Sequence, residues 1–458
     1  MAISRVLVAN RGEIALRVLR ACQELGYGTV LAVSAADRDS LPAQVADRVV
    51  CIGPARSADS YLDVAAVVTA AVGTGCDAVH PGYGFLAESP ALADACVAAG
   101  LTFVGPTGDH MRQMADKIQA RALARAFGVP TLPGSERIES VDEAVAVAEV
   151  IGLPVIVKAS AGGGGRGMKV VTDAAALPTV LAAAAAEAES AFGDGTLYLE
   201  RFIPNARHIE VQLLGDRFGN VVHVGERDCS LQRRNQKVVE EAPAPGITEE
   251  LRAEIRSAAV RLAASIGYEN AGTVEFVYDE DAAQFFFLEM NTRIQVEHPV
   301  SEMISGLDLV QQQFRIAAGE PLGFGQDDVV LREHAIECRI TAEVAAAGFR
   351  PNAGRITRWE PPVSPNVRLD THCAAGYLVP MYYDSLLAKL IVYGSTREEA
   401  LARMEGALAR FQVEGIDTTI DFLGFLVGRP EFAAGAVTTH LIADVIGEFV
   451  PTPVAAGR

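Results

Sequence analysis

The chain has no apolar run long enough to cross a bilayer, because charged or polar residues interrupt every hydrophobic stretch well before about 20 residues. No membrane partner is expected. Cysteine is sparse: Cys22, Cys51, Cys76, Cys96, Cys229, Cys338 and Cys373 are scattered, odd in number, and form no CxxC pair. That spacing excludes a zinc ribbon and argues for free thiols in a reducing compartment rather than a disulfide frame. Positive charge is short as well: 39 Lys and Arg face 58 Asp and Glu, a net −19. A field of that sign argues against nucleic acid as a partner, although screening within about 8–10 Å lets a local basic pocket still bind a small anion. The N-terminus lacks a basic segment followed by a long apolar one, so no signal peptide and a cytoplasmic location are expected. Two nucleotide signatures are also missing. GxxxxGK[ST] is absent, and Asn10-Arg11-Gly12-Glu13 stands where a dinucleotide-binding oxidoreductase would carry GxGxxG.

What is present is ample core material, since half of the 458 residues are hydrophobic. The length suggests about three domains. Over residues 1–115, short apolar strands (6–9, 29–34, 77–80, 101–104) alternate with amphipathic helices (13–25, 61–72). That alternation predicts a doubly wound parallel sheet. The pattern then shifts. A helix over 118–127, a strand over 155–158 and an alanine-rich helix over 174–192 occupy the stretch to about 205. From 206 to 320 the strands lengthen into apparent antiparallel pairs, 209–214 with 221–225 and 273–278 with 285–291. A tail of α+β character spans 330–447. The fold class expected is therefore α/β and α+β, multidomain, with the parts packed into one body.

Four segments carry chemistry. The first is Ala161 to Val170, AGGGGRGMKV, directly after a strand that ends in Lys158. Consecutive glycines let backbone N–H groups close on an anion without a Cβ clash. The chain continues as a strand, so the segment reads as a flap over a nucleotide; the plain alternative is a surface turn. In the second, Glu275 on one strand and Glu289 and Asn291 on the next converge if the strands pair, with Phe286, Leu288 and Met290 on the opposite face. Two carboxylates and an amide oxygen in an apolar setting suit Mg²⁺ or Mn²⁺ on nucleotide phosphates; the alternative is a pair of exposed, partnered glutamates. In the third, Met290 to Pro299, strand alternation puts Arg293, Gln295 and Glu297 on the face of Asn291. There the Arg293 fork can take a small oxyanion and Glu297 can act as a base, unless this is a salt-bridged edge strand. The fourth, Glu226 to Pro245, gathers Arg233, Arg234 and Lys237 into a basic island for phosphate or bicarbonate.

Together with Val6 to Ala21, His80 to Glu88, Phe103 to Pro106, His334 to Ile340 and Tyr382 to Leu390, these segments resemble the biotin carboxylases, an ATP-grasp family, over nearly the whole chain. The resemblance implies an N-terminal domain over 1–115, a central ATP-grasp fold over 116–320 with a flap subdomain near 131–204, and a C-terminal biotin carboxylase domain over 330–447. It implies that Lys117 and Lys158 contact ATP phosphates and that Gly164, Gly165, Arg166 and Gly167 cover them. Glu200, Arg201, Phe202 and Ile203 would form the adenine hinge, while His208, Gln232 and Asn235 line the nucleotide site. Glu275, Glu289 and Asn291 would hold Mg²⁺ or Mn²⁺, two ions in all. Lys237, Arg293, Gln295 and Val296 would cradle bicarbonate, Glu297 would be the base, and Arg339 would face the biotin ureido oxygen, with Tyr83 nearby. One residue departs from the family pattern: Asn235 stands where His is usual, which keeps a urea-type carboxylase open. A biotin-attachment MKM motif is absent. The resemblance therefore implies a separate biotin carboxyl carrier protein, carboxyltransferase subunits elsewhere, and a homodimer. The reaction expected is the first half of an acyl-CoA carboxylase, acetyl-CoA being the acceptor. Another ATP-grasp ligase and a non-catalytic subunit are the alternatives.

Overall fold

A computed structural model describes residues 3–161 and 168–451. The first sheet has strands β1 (Arg5–Val8), β2 (Gly28–Ser34), β3 (Arg48–Gly53), β4 (Ala78–His80) and β5 (Thr102–Phe103). Its order is β3-β2-β1-β4-β5 and every pairing is parallel. Val6, Leu7 and Val8 are all buried, as both faces of a parallel sheet require. Helix Gly12–Glu24 covers one face with Ile14, Leu16, Val18 and Leu19. Strand β3 and the helices Pro90–Ala98 and Gly108–Ala115 complete a unit that the sequence pattern indicated only in part.

Beyond it, helix Lys117–Ala126 begins on Asp116, whose Oδ1 accepts from the N–H groups of Ile118 and Gln119. That cap puts Lys117 in the first helical turn. A small sheet of β6 (Val155–Ala159), β7 (Lys169–Val171) and β8 (Leu197–Arg201) follows, with the order β7-β6-β8. Strands β6 and β7, which flank the glycine segment in the sequence, pair antiparallel. Residues 162–167 themselves, hence Gly164, Gly165, Arg166 and Gly167, lie outside the described residues.

The largest sheet is antiparallel throughout. It contains β9 (Ala206–Gly215), β10 (Val221–Arg233), β11 (Gln236–Ala242), β12 (Asn270–Asp279), β13 (Gln284–Asn291) and β14 (His334–Thr341), joined by strands Val367–Thr371 and Leu386–Gly394. The order is β13-β12-β9-β10-β11-β14, then Leu386–Gly394, then Val367–Thr371. Segment 320–330 thus connects strands of a single sheet. One face packs on an apolar core that includes Ile209, Val211, Val274, Phe276 and Phe287. The other face carries charge. The 10-strand-residue run Ala206–Gly215 shows how: Ile209, Val211 and Leu213 alternate with His208, Glu210 and Gln212, and all are buried.

Candidate active site

The charged face of the large sheet floors a cleft of about 1080 Å³, walled by the first sheet's loops, the small sheet and the C-terminal strands. Strands β12 and β13 pair with Glu275 directly opposite Glu289 and Thr273 opposite Asn291. A bulge follows, so Phe285, Phe287 and Met290 join the apolar core while Leu288 lines the cleft beside Glu289. The strict alternation expected of Phe286, Leu288 and Met290 fails there, because a bulge inserts a residue and resets the faces. A second expectation needs the same correction. The strand ends at Asn291, so Arg293, Gln295 and Glu297 do not follow by alternation. They converge through a turn that leads into helix His298–Ser305, with Glu297 at its N-cap.

Convergence is nevertheless tight. Arg293 donates to Asn291 Oδ1 at 2.9 Å, to Gln295 Oε1 at 2.6 Å and to Glu88 Oε2 at 2.9 Å. Gln295 Nε2 donates to Glu275 Oε1 at 3.1 Å. The Lys237 ammonium meets three carboxylates: Glu210 at 2.5 Å, Glu297 at 2.6 Å and Glu275 at 3.0 Å. Arg339 reaches the other oxygen of Glu297 at 2.8 Å and also binds Glu240. Glu297 is fully buried and gripped from two sides.

These contacts set the protonation of the group. Burial opposes the charge of Glu275, but Lys237 and His208 outweigh it and hold its pKa down to about 2. Burial likewise opposes charging His208, yet Glu275 and Glu210 push it up to about 9. Glu240 is pushed up to about 7 by burial, with Arg339 acting against the rise. Glu210 lies well below the carboxylate range, because Lys237 and Arg227 overcome its burial.

At the other end of the cleft, Lys117 Nζ lies 2.7 Å from Glu289. Lys158 Nζ lies 2.5 Å from Glu200, which also binds Arg121 at 2.8 Å. Glu200 therefore faces inward and does not line the cleft, whereas Arg201, Phe202 and Ile203 do. The Arg201 and Phe202 N–H groups are spent on Pro133 and Pro154 carbonyls. Gln232 and Asn235 line the cleft too. Gln232 donates to the Cys229 carbonyl. Arg234 and Asn235, at φ 51° and 62°, form the two-residue turn between β10 and β11. Both residues sit left-handed, a conformation Asn tolerates better than most. Of the basic island, only Lys237 joins the charged core; Arg233 packs over Phe349.

Residues that sequence reasoning left unassigned turn out to be central. Glu210 ties Lys237, His208 and Arg227 together; its signal was the polar alternation His208, Glu210, Gln212 inside an apolar strand. Glu88, Glu240 and Lys389 gave no local signal, since their partners lie far away in the chain.

The donor set fits a hard divalent cation. Glu275, Glu289 and Asn291 offer oxygen only, on adjacent strands, and each now meets a side-chain donor (Lys237, Lys117 and Arg293 respectively) that an ion could displace. Among the described residues, His208, Glu210 and Glu275 also place ligand atoms within 4.8 Å of one another.

Comparison with known proteins adds a third line. Residues 2–111 match the family model for the biotin carboxylase N-terminal domain. Residues 116–324 match the ATP-binding domain of the carbamoyl-phosphate synthase L chain, and 337–444 the biotin carboxylase C-terminal domain. Biotin carboxylase 1 of Bacillus subtilis is 48 % identical over 97 % of this chain and 100 % of its own length. A biotin carboxylase–beta-gamma-ATP complex from Campylobacter jejuni superposes with TM-score 0.94 at 46 % identity, covering 97 % of this chain and 99 % of that one. The biotin carboxylase domain dimer of Hydrogenobacter thermophilus 2-oxoglutarate carboxylase, solved with MgADP, ADP and bicarbonate, gives TM-score 0.94 at 44 % identity over 99 % and 100 %.

Proposed function

Because this chain belongs to the biotin carboxylase family, we propose that it uses ATP and bicarbonate to carboxylate biotin presented by a carrier protein. The single observation that carries the reading is Glu297: a fully buried carboxylate clamped between Lys237 on one oxygen and Arg339 on the other.

In this reading residues 1–115, 116–320 and 330–447 divide the labour of the cleft. Lys117, Lys158 and the 164–167 segment hold the ATP phosphates, and Arg201 to Ile203 the adenine, with His208, Gln232 and Asn235 around them. Glu200 acts indirectly, by orienting Lys158. A divalent cation on Glu275, Glu289 and Asn291 supplies positive charge to phosphate oxygens when bound. Lys237, Arg293, Gln295 and the Val296 backbone orient bicarbonate. Glu297 removes its proton, and a bicarbonate oxygen attacks the γ-phosphorus as the bond to the ADP oxygen breaks. Carboxyphosphate then divides into CO₂ and phosphate. The phosphate takes the N1′ proton of biotin, N1′ bonds to CO₂, and Arg339 offsets charge on the ureido oxygen. Water must be excluded, since it would hydrolyse carboxyphosphate.

The proposal extends to partners: a carrier protein, carboxyltransferase subunits, a homodimer, and acetyl-CoA as final acceptor, within fatty acid synthesis in the cytoplasm. No helix among the described residues is long and apolar enough to cross a membrane. The test is ADP release by the purified chain with Mg²⁺ and bicarbonate, with and without biotin, beside Glu297→Ala. Biotin-stimulated release that disappears in the variant is expected. Turnover indifferent to biotin and bicarbonate would sink the proposal.

A further inference from the structure

Lys389 sits on strand Leu386–Gly394 and has no exposed side-chain surface. It lies outside every role assigned above. Its Cα neighbour across the sheet is Arg339 on β14, and on the other side Asp370. Its Nζ donates to the Val296 carbonyl at 2.9 Å and lies 3.2 Å from Glu13 Oε1 and 3.7 Å from Asp370 Oδ2. Burial works against its charge, but Glu13, Glu337 and Asp370 outweigh that and keep it protonated.

The geometry of the 296–297 turn gives this contact its meaning. The turn joins β13 to helix His298–Ser305, and no side chain caps that helix. Besides Lys237 on Glu297, Gln295 on Glu275 and the His298 ring on the Gln295 carbonyl, two cations from β14 and strand Leu386–Gly394 hold the turn. Arg339 grips the Glu297 carboxylate, and Lys389, directly beside it, grips the preceding carbonyl. Asp370 is already neutralised by Arg368 through two bonds. A lysine is therefore not required to balance Asp370, while an apolar side chain in its place would leave the Val296 carbonyl without this donor. Glu13 continues outward to the Tyr83 hydroxyl, so the chain of contacts ends in the loop at the cleft wall.

We propose that Lys389 is a positioning residue: through the Val296 carbonyl it fixes the 296–297 peptide, and so the carboxylate of Glu297, against bicarbonate. The inference rests on the function proposed above. It also gives a role to the line of contacts that runs from Tyr83 through Glu13 to Lys389, beside Arg339, and ends at the Val296 carbonyl.

The experiment compares the unaltered protein with Lys389→Met and with the double variant Lys389→Met/Glu13→Gln. The double variant removes one charge of each sign, so it remains usable where the single change leaves Glu13 stranded and the protein unfolded. Steady-state ADP release is measured against bicarbonate at saturating ATP, Mg²⁺ and biotin, and separately against ATP. The expected result is a bicarbonate KM raised about tenfold or more, with the ATP KM within about twofold. An unchanged bicarbonate KM in a folded double variant overturns the clamp, and so does an equal fall of kcat for both substrates with both KM values intact. An unaltered protein that ignores bicarbonate would instead overturn the functional reading, and the clamp with it.

Discussion

The two main sheets bury their strands by opposite means. In the parallel sheet, Val6 to Val8, Val30 to Val33 and Val79 are apolar on both faces, and the one histidine on a strand, His80, is neutral: burial pushes its pKa down to about 3. In the antiparallel sheet one face is apolar and the other buries Arg227, Glu210, Glu275 and Glu240 and half-buries Lys237 and Arg339. There His208 goes the other way, up to about 9, because carboxylates surround it. The same residue type under the same burial answers to its neighbours. The lesson is that the first sheet is a scaffold held by area, whereas the second is held by pairing and pays for its chemistry in desolvation.

The comparison breaks most sharply by substitution. Arg227 is fully buried and binds Glu210, Gln212, Ser301 and Thr273. Arg227→Met leaves Glu210 with only Lys237 and His208, takes the donor from Gln212, Ser301 and Thr273, and should destabilise by about 3–5 kcal/mol. Leu7→Ala in the parallel sheet should cost about 3 kcal/mol. Denaturant unfolding measures both losses. Only Arg227→Met should also depress kcat at temperatures where each variant is folded; equal kinetic effects would erase the distinction.

Acid sharpens the contrast next. His80 is depressed from 6.5 to about 3 in the folded protein, so the unfolded chain binds the extra proton first. Its stabilising contribution is whole above pH 6.5 and is lost as pH falls toward 3, amounting to about 2 kcal/mol at pH 5. In His80→Gln the slope of stability against pH between 6.5 and 5 should flatten by one proton. An unaltered slope would mean that His80 is not buried neutral.

The smallest effect is expected at Asn235. In the left-handed turn, Asn235→His should change stability by under about 1 kcal/mol. Titration of the ATP KM against pH, beside a thermal melt, checks it. A larger loss of stability would show that the turn depends on Asn.

Local signals carried far. The parallel character of the first sheet, though not its strand order, was legible from strand–helix alternation, and the β9–β10 and β12–β13 hairpins from their spacing. Edge strand β3 escaped although Val49 to Ile52 are an apolar run; at the sheet's edge most of that run stays exposed or half-buried. Within the site, Glu275 opposite Glu289 was readable as a pair on neighbouring strands, but the bulge at Leu288 and the turn after Asn291 were not. A bulge leaves no compositional mark, and alternation fails silently where a strand stops.

The sequence by itself determined the chemistry available: a glycine-rich segment beside Lys158, an oxygen-only triad, a candidate base near Arg293, and the resemblance that joins them. Only the tertiary structure decided who partners whom. It ran β11, β14 and Leu386–Gly394 into one sheet, set Arg339 beside Lys389, and brought Glu88 to Arg293 across 205 residues. The physical reason is range. Propensity and periodicity act over a few residues, whereas a buried charge must find its counter-charge wherever the sheet's register delivers one.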